Sequence, residues 1–230
     1  CDVYYYDLAY SMGIDLFHNY MSKFNFGKRT GIDMPRETTA VLPSKEWKRK
    51  RFNQVWLPGD TVNVGIGQGY FQTSPVQLAY ATSILASDGM LIPPRLASRV
   101  GSRQTFTDED MIARVEKINN RNWEAVIEGM TNVVEGVGGT ARRIRNDYYT
   151  VAGKTGTAQV VTIQQHEEYD EKKLSKEKHD HALFVAFAPI ETPQVAVAVI
   201  AENGGHGGAT AAPVAKAVLD EWLINDAEAF

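Results

Sequence analysis

An α+β fold is predicted by three features of this sequence. Apolar residues fall at helical spacing through much of the first 134 residues, three strand-like segments follow, and an amphipathic helix closes the chain. Residues 2–24 read as the first helix, with Asp2 suited to cap it and Val3, Tyr6, Tyr10, Ile14, Phe17 and Met21 along one face. Asn25 and Gly27 stop it. A turn-rich stretch runs from Thr30 to Pro43, and residues 44–52 form a short basic helix capped by Ser44. Pro75 suits the first position of the next helix, whose buried stripe is Gln77, Leu78, Ala81, Ile84 and Leu85. Another helix spans about Asn122 to Val134 and ends at Gly136, Gly138 and Gly139.

The period then changes. Strands are expected over Tyr149–Val161, Ala182–Pro189 and Gln194–Ala201, the last two joined by the Ile190–Pro193 turn. The final helix, about Ala209 to Ile224, is expected to bury Val214, Val218, Trp222 and Leu223. Between the first two strands, Gln164 to Asp180 reads as a polar, charge-mixed and mobile insertion.

Composition narrows the function. The 230 residues suffice for one large domain, and 43% apolar with 23% charged residues is ordinary globular usage. A net charge of −4 argues against bulk nucleic-acid binding. No apolar run reaches the roughly 18 residues of a membrane span. The chain opens on Cys1 rather than Met, which predicts a piece of a longer protein, and its single cysteine excludes an internal disulfide. The basic run Lys45–Arg51 reads as a solvated helix face, Trp47 and Trp56 as core, and His18 and His206 as surface or packing residues.

The sharpest chemical signal is Lys154-Thr155-Gly156-Thr157 on a strand candidate. A lysine ammonium there can keep a neighbouring lysine neutral and stabilise an oxyanion. The threonine hydroxyls can donate to a carboxylate. Gly156 clears room for an extended peptide along the strand. A phosphate-binding loop would need glycine at Tyr148 and a helix after the lysine, so it is rejected. Gly65-Ile66-Gly67-Gln68-Gly69 is no dinucleotide fingerprint, because Tyr70 stands where the third glycine belongs.

Lys-Thr-Gly is a signature of serine β-lactamases and penicillin-binding proteins. With Thr30-Gly31-Ile32-Asp33, Glu46-Trp47-Lys48, Gly59-Asp60-Thr61, Gly65 to Tyr70, Gly139-Thr140-Ala141 and Glu202-Asn203-Gly204-Gly205, the chain resembles the penicillin-binding protein 2 family. These are elongation-specific class B peptidoglycan D,D-transpeptidases, and the likeness runs over nearly the whole chain. It implies a penicillin-binding, serine β-lactamase-like fold, with residues 1–230 as the C-terminal portion of one transpeptidase domain. The membrane anchor, pedestal and Ser-x-x-Lys region would lie upstream. No serine here suits the nucleophile: Ser175-Lys176-Glu177-Lys178 falls in the charged insertion. The fragment alone is therefore expected to be inactive.

The resemblance implies roles residue by residue. Lys154 matches the lysine of the third motif, Thr155 and Thr157 the carboxylate-binding hydroxyls beside Gly156, and the Thr157 amide half of the oxyanion hole. Asp2 matches the polar residue that bonds the substrate amide, and the motif serine would stand just before Cys1. Cys1 is expected to hold a structural zinc with upstream ligands; His179 and His181 offer a weaker metal pair. Tyr70 and Phe71 are expected to border the site. The implied partners are peptidoglycan stem peptides, β-lactams and a polytopic membrane glycosyltransferase, at the periplasmic face of the inner membrane. A serine β-lactamase and a non-catalytic β-lactam sensor are the alternative readings.

Overall fold

The computed structural model describes residues 2–104, 113–117, 119–160 and 175–225. The chain divides into two units, Cys1–Ala81 with Leu91–Val115 and Thr82–Met90 with Glu116–Phe230.

In the first unit, α1 spans Asp2–Met21 and a 3-10 turn, Ser22–Phe24, follows it. The helix is broken at Gly13, whose φ of 74° and ψ of 158° suit a residue without Cβ. Sequence periodicity runs through this break because Ile14 resumes the buried face. Asp2 is the first helical residue rather than a cap; its charge complements the helix N-terminus. The short basic helix forms as expected: α2 covers Lys45–Phe52, and the Ser44 hydroxyl accepts from Trp47 N at 3.1 Å. Next comes α3, Pro58–Gly65, with proline in its first turn. Gly65 permits close approach to α1, since a Cβ there would meet Ala9 Cβ at 2.3 Å.

The basic helix is not solvated throughout. Lys48 is 3% exposed, and its Nζ lies 2.5 Å from Asp60 Oδ2. Asp60 also accepts from Leu57 N at 2.7 Å, tying the start of α3 to the same carboxylate. Over the Lys48 ammonium stand the rings of Tyr70 at 5.4 Å and Trp56 at 5.8 Å. Tyr70 in turn packs against Trp47 and Phe52, while Phe71 meets Phe17 and Phe26 edge-on. Tyr70 and Phe71 are thus packing groups of this unit.

Helix α4, Pro75–Ala86, gives the first unit Gln77 and Tyr80 and the second Thr82 and Ile84. Gln77 belongs in the buried stripe because its amide is fully used. Its Nε2 donates to Lys28 O at 2.8 Å and Thr39 O at 3.0 Å, and its Oε1 accepts from Ser74 N at 3.0 Å. Two short strands, β1 (Arg99–Val100) and β2 (Arg103–Gln104), pair antiparallel.

The turns after α1 are held by two carboxylates. Glu37 accepts from the Thr30 hydroxyl and amide, both at 2.6 Å, and from Gly31 N at 3.2 Å. Burial would raise its pKa, but these bonds outweigh that and leave it lowered. Asp33 accepts from Leu96 N at 2.5 Å and Ala97 N at 3.0 Å, and those bonds lower its pKa. A lowered folded-state pKa stabilises the fold above the unfolded value and ceases to do so as pH falls through the folded value. Stability of the first unit should therefore decline with acid from about the ordinary values of 4.5 and 3.8 downward. Glu37→Gln with Asp33→Asn should flatten that decline in urea-unfolding titrations between pH 7 and 3, and an unaltered slope would contradict the assignment.

In the second unit, α5 spans Asn120–Val134, with the Asn119 side chain accepting from Arg121 N. Strands β3 (Ala152–Ala158), β4 (His181–Ala188) and β5 (Val195–Ala201) form an antiparallel sheet in that order. The register sets Lys154 opposite Val185 and Gly156 opposite Leu183. Along β4, Ala182, Phe184 and Ala186 are fully buried at alternate positions. Helix α6, Ala211–Asp220, shares one core with them and runs into a π-helical turn, Glu221–Asn225.

The buried face of α6 differs from expectation. Ala211, Ala212, Ala215 and Leu219 are inaccessible, whereas Val214, Val218 and Trp222 are about half exposed. Alanines let the helix lie close to the sheet, a preference that ranking residues by hydrophobicity hides. Tyr149 OH donates to Asp220 Oδ1 at 2.5 Å and fastens this end of the helix.

Most of the expected mobile insertion lies outside the described residues. Its last part is anchored: Lys176–Lys178 form a 3-10 turn, Asn203 Nδ2 donates to Glu177 O and His179 O, and buried Asp180 accepts from Val160 N.

Candidate active site

Strand β3 brings Lys154, Thr155, Gly156 and Thr157 together. Among the described residues it pairs with β4 on one side and with no strand on the other. Lys154 is exposed, and its Nζ donates to Thr155 O at 2.7 Å. Thr155 and Thr157, two apart on a strand, share a side and line a cavity of about 370 Å³. Thr140, Arg143 and the segment His206–Ala209 complete its wall.

Thr140 arrives by a tight reversal at the end of α5. Gly139 allows the fold-back, because a Cβ there would sit 2.3 Å from Val133 O. Ala141 N then donates to Val133 O at 2.9 Å. The Thr140 and Thr155 hydroxyls lie 3.0 Å apart, and either can donate. Arg143, on the 3-10 turn Arg142–Ile144, donates from Nη1 to Ala209 O at 3.2 Å.

The opposite wall depends on two glycines. A Cβ on Gly207 would meet Leu183 O at 2.2 Å and Gly156 O at 2.6 Å; one on Gly208 would meet Thr140 O at 2.2 Å. The loop can therefore lie against β3 only without side chains there. Gly207→Ala should shift it and cost about 1–3 kcal/mol in stability. Thermal melts would check this, and a wild-type melting temperature would contradict the packing argument.

Thr140 and Arg143 had no assigned role in the sequence reading, and His206 was read there as a surface or packing residue. The glycine-rich run Gly204-Gly205-His206-Gly207-Gly208 was the available signal for the last of them. Asp2 lies in the first unit, exposed in the first turn of α1. Cys1 lies outside the described residues. Among the described residues, no group of three or more His, Cys, Asp or Glu could hold a metal. His181 Nδ1 instead accepts from Asn203 N at 2.9 Å, a structural bond.

A strand bearing Lys-Thr-Gly-Thr at the edge of an antiparallel sheet, with helices packed on it, defines the class. The chain belongs to the penicillin binding protein transpeptidase domain family, whose model matches residues 1–220. It is similar to the peptidoglycan D,D-transpeptidase MrdA of Haemophilus influenzae, 44% identical over 96% of this chain and 35% of that protein. It thus spans about a third of the length of the curated relatives it matches. The crystal structure of Pseudomonas aeruginosa penicillin-binding protein 2 in complex with the compound WCK 5153 is 45% identical. That likeness has a TM-score of 0.84 over 97% of this chain and 47% of that one. Penicillin-binding protein 2 of Helicobacter pylori, in complex with MreC, is 30% identical, with a TM-score of 0.76 over 96% of this chain and 38% of that one.

Proposed function

We propose that the full protein is a peptidoglycan D,D-transpeptidase whose third active-site motif is Lys154-Thr155-Gly156-Thr157. The observation that carries this reading is the β3 edge, where the motif borders a cavity walled by hydroxyls and tight glycine packing. Similarity to proteins named D,D-transpeptidase supports it. A donor stem peptide would lie extended along β3, adding a strand, with its terminal carboxylate at the Thr155 and Thr157 hydroxyls.

The nucleophile comes from a Ser-x-x-Lys outside this chain. The serine hydroxyl loses its proton to the neutral lysine and its oxygen attacks the penultimate D-Ala carbonyl. The oxyanion develops beside the Thr157 amide and the Lys154 ammonium, and then collapses. The C–N bond breaks, the terminal D-Ala amine leaves with a proton, and an acyl ester remains. An acceptor amine attacks that ester, forms the cross-link and frees the serine. β-Lactams acylate the same oxygen. Asp2 is proposed to bond the substrate amide.

The polytopic glycosyltransferase partner, the periplasmic location and the zinc held by Cys1 with ligands outside this chain are proposals about the full protein. No described helix is long and apolar enough to cross a membrane. Metal analysis of the full protein tests the zinc.

Incubating the full protein with fluorescent penicillin should give one stable serine adduct upstream of Cys1. Cross-linked dimers should form from stem-peptide substrates. No adduct, or rapid release of hydrolysed penicillin, would overturn the reading, the latter in favour of a β-lactamase.

A further inference from the structure

We propose that Arg143 and Thr140 complete the carboxylate-reading end of this site. Arg143 supplies the cation that contacts the terminal carboxylate of the donor peptide, or the ring carboxylate of a β-lactam. Thr140 is a positioning residue that orients the Thr155 hydroxyl. The inference rests on the transpeptidase reading and adds to it.

The chemistry begins with a shortfall. Thr155 and Thr157 offer neutral dipoles to an anion, whereas a charged donor makes a bond roughly twice as strong. Lys154 is engaged with Thr155 O and is not part of the cavity wall. Of the residues lining the cavity, Arg143 and His206 are those that can carry positive charge. Arg143 is the better placed to hold a planar carboxylate. Its guanidinium has five donors in a rigid fork, and the bond to Ala209 O occupies one of them. Its backbone is fixed between Ala141 and Ile144, which are 0% and 1% exposed, so the side chain springs from a rigid base.

Thr140 acts through Thr155. A threonine hydroxyl has one proton to give. If Thr140 donates across the 3.0 Å between the two oxygens, Thr155 keeps its own proton for the carboxylate. The position of Thr140 is set by Gly208, whose backbone lies so close to Thr140 O that no Cβ fits.

The test compares acylation of the full protein by a penicillin and by its methyl ester, which lacks the negative charge. Each sample yields a ratio of the two second-order rate constants. A misfolded fraction lowers both rates equally and cancels. Arg143→Gln should lower the ratio about tenfold, the scale of one hydrogen bond to a charged group, and Arg143→Lys should recover part of it. Thr140→Val should lower the ratio severalfold and Thr140→Ser should restore it, which a purely steric role would not require. A ratio for Arg143→Gln within twofold of wild type would overturn the Arg143 assignment. So would a tenfold fall with His206→Asn instead. Equal ratios for Thr140→Val and Thr140→Ser would overturn the positioning role. If the wild-type protein is not acylated at all, the transpeptidase reading itself fails, and that outcome is distinct from every ratio result.

Discussion

Lys154→Ala in the full protein should slow acylation by penicillin about a hundredfold or more and leave the melting temperature nearly unchanged. The two halves of this expectation have separate causes. Lys154 is exposed, and its Nζ bonds to the carbonyl of the next residue in the same strand. Truncating a side chain this exposed opens no buried void, so the folded state loses little. In the proposed reaction the ammonium would do two things. Its charge would help keep the Ser-x-x-Lys lysine neutral, and so able to accept the serine proton. It would also face negative charge that grows as the carbonyl is attacked, so its contribution would be greatest in the transition state. Losing one such group typically costs on the order of 3 kcal/mol, a factor of about a hundred or more in rate. Thr155→Val should differ in kind, weakening recognition of the carboxylate more than the acylation step. Stopped-flow acylation with a fluorescent penicillin, alongside thermal melts, separates these effects. A Lys154→Ala rate within threefold of wild type would remove the residue from the mechanism, and a large fall in melting temperature would recast it as structural.

The placement of Lys154 on a strand was legible in the sequence. The four-residue motif names a chemistry, and the change to a period of two places it on a strand, which β3 confirms. The helix α2 was legible for a similar reason, since Ser44 caps it as the sequence reading expected. The remainder depended on distances that no local pattern encodes. Alanines read as weakly apolar, yet they form the inaccessible face of α6 while Val214 and Val218 stand half exposed. Arg143 sits among Arg142 and Arg145 in a cluster that resembles any solvated basic turn, and only the fold sets it in the same cavity wall as Thr155. Part of the glycine run after β5, Glu202-Asn203-Gly204-Gly205, was visible only as a piece of the family likeness. The run's close approach to β3 could not be foreseen, because residues some 50 positions apart in sequence meet there.

A second lysine shows what a charge run can conceal. Lys48 lies within Lys45–Arg51, yet its side chain is 4% exposed and pairs with Asp60, itself 16% exposed. Lys48→Ala should destabilise the protein by about 3 kcal/mol, the lower end of the cost of breaking a buried pair by removing one partner. Three losses contribute. Asp60 keeps its bond from Leu57 N but loses its counter-charge. The rings of Trp56 and Tyr70 lose the cation above them. Removing the buried lysine stem also leaves a void beside Trp56 and Tyr70. Replacing both partners, as Lys48→Met with Asp60→Asn, should recover much of the loss. Methionine refills the space, and asparagine can still accept from Leu57 N without a buried charge to neutralise. Urea unfolding of the full protein, followed by tryptophan fluorescence, reads the effect directly because Trp47 and Trp56 lie in the cluster. A Lys48→Ala variant within about 0.5 kcal/mol of wild type, the range usual for surface changes, would show that the pair does not hold this unit together. A double variant no better than the single would assign the loss to the cation over the rings rather than to the stranded carboxylate.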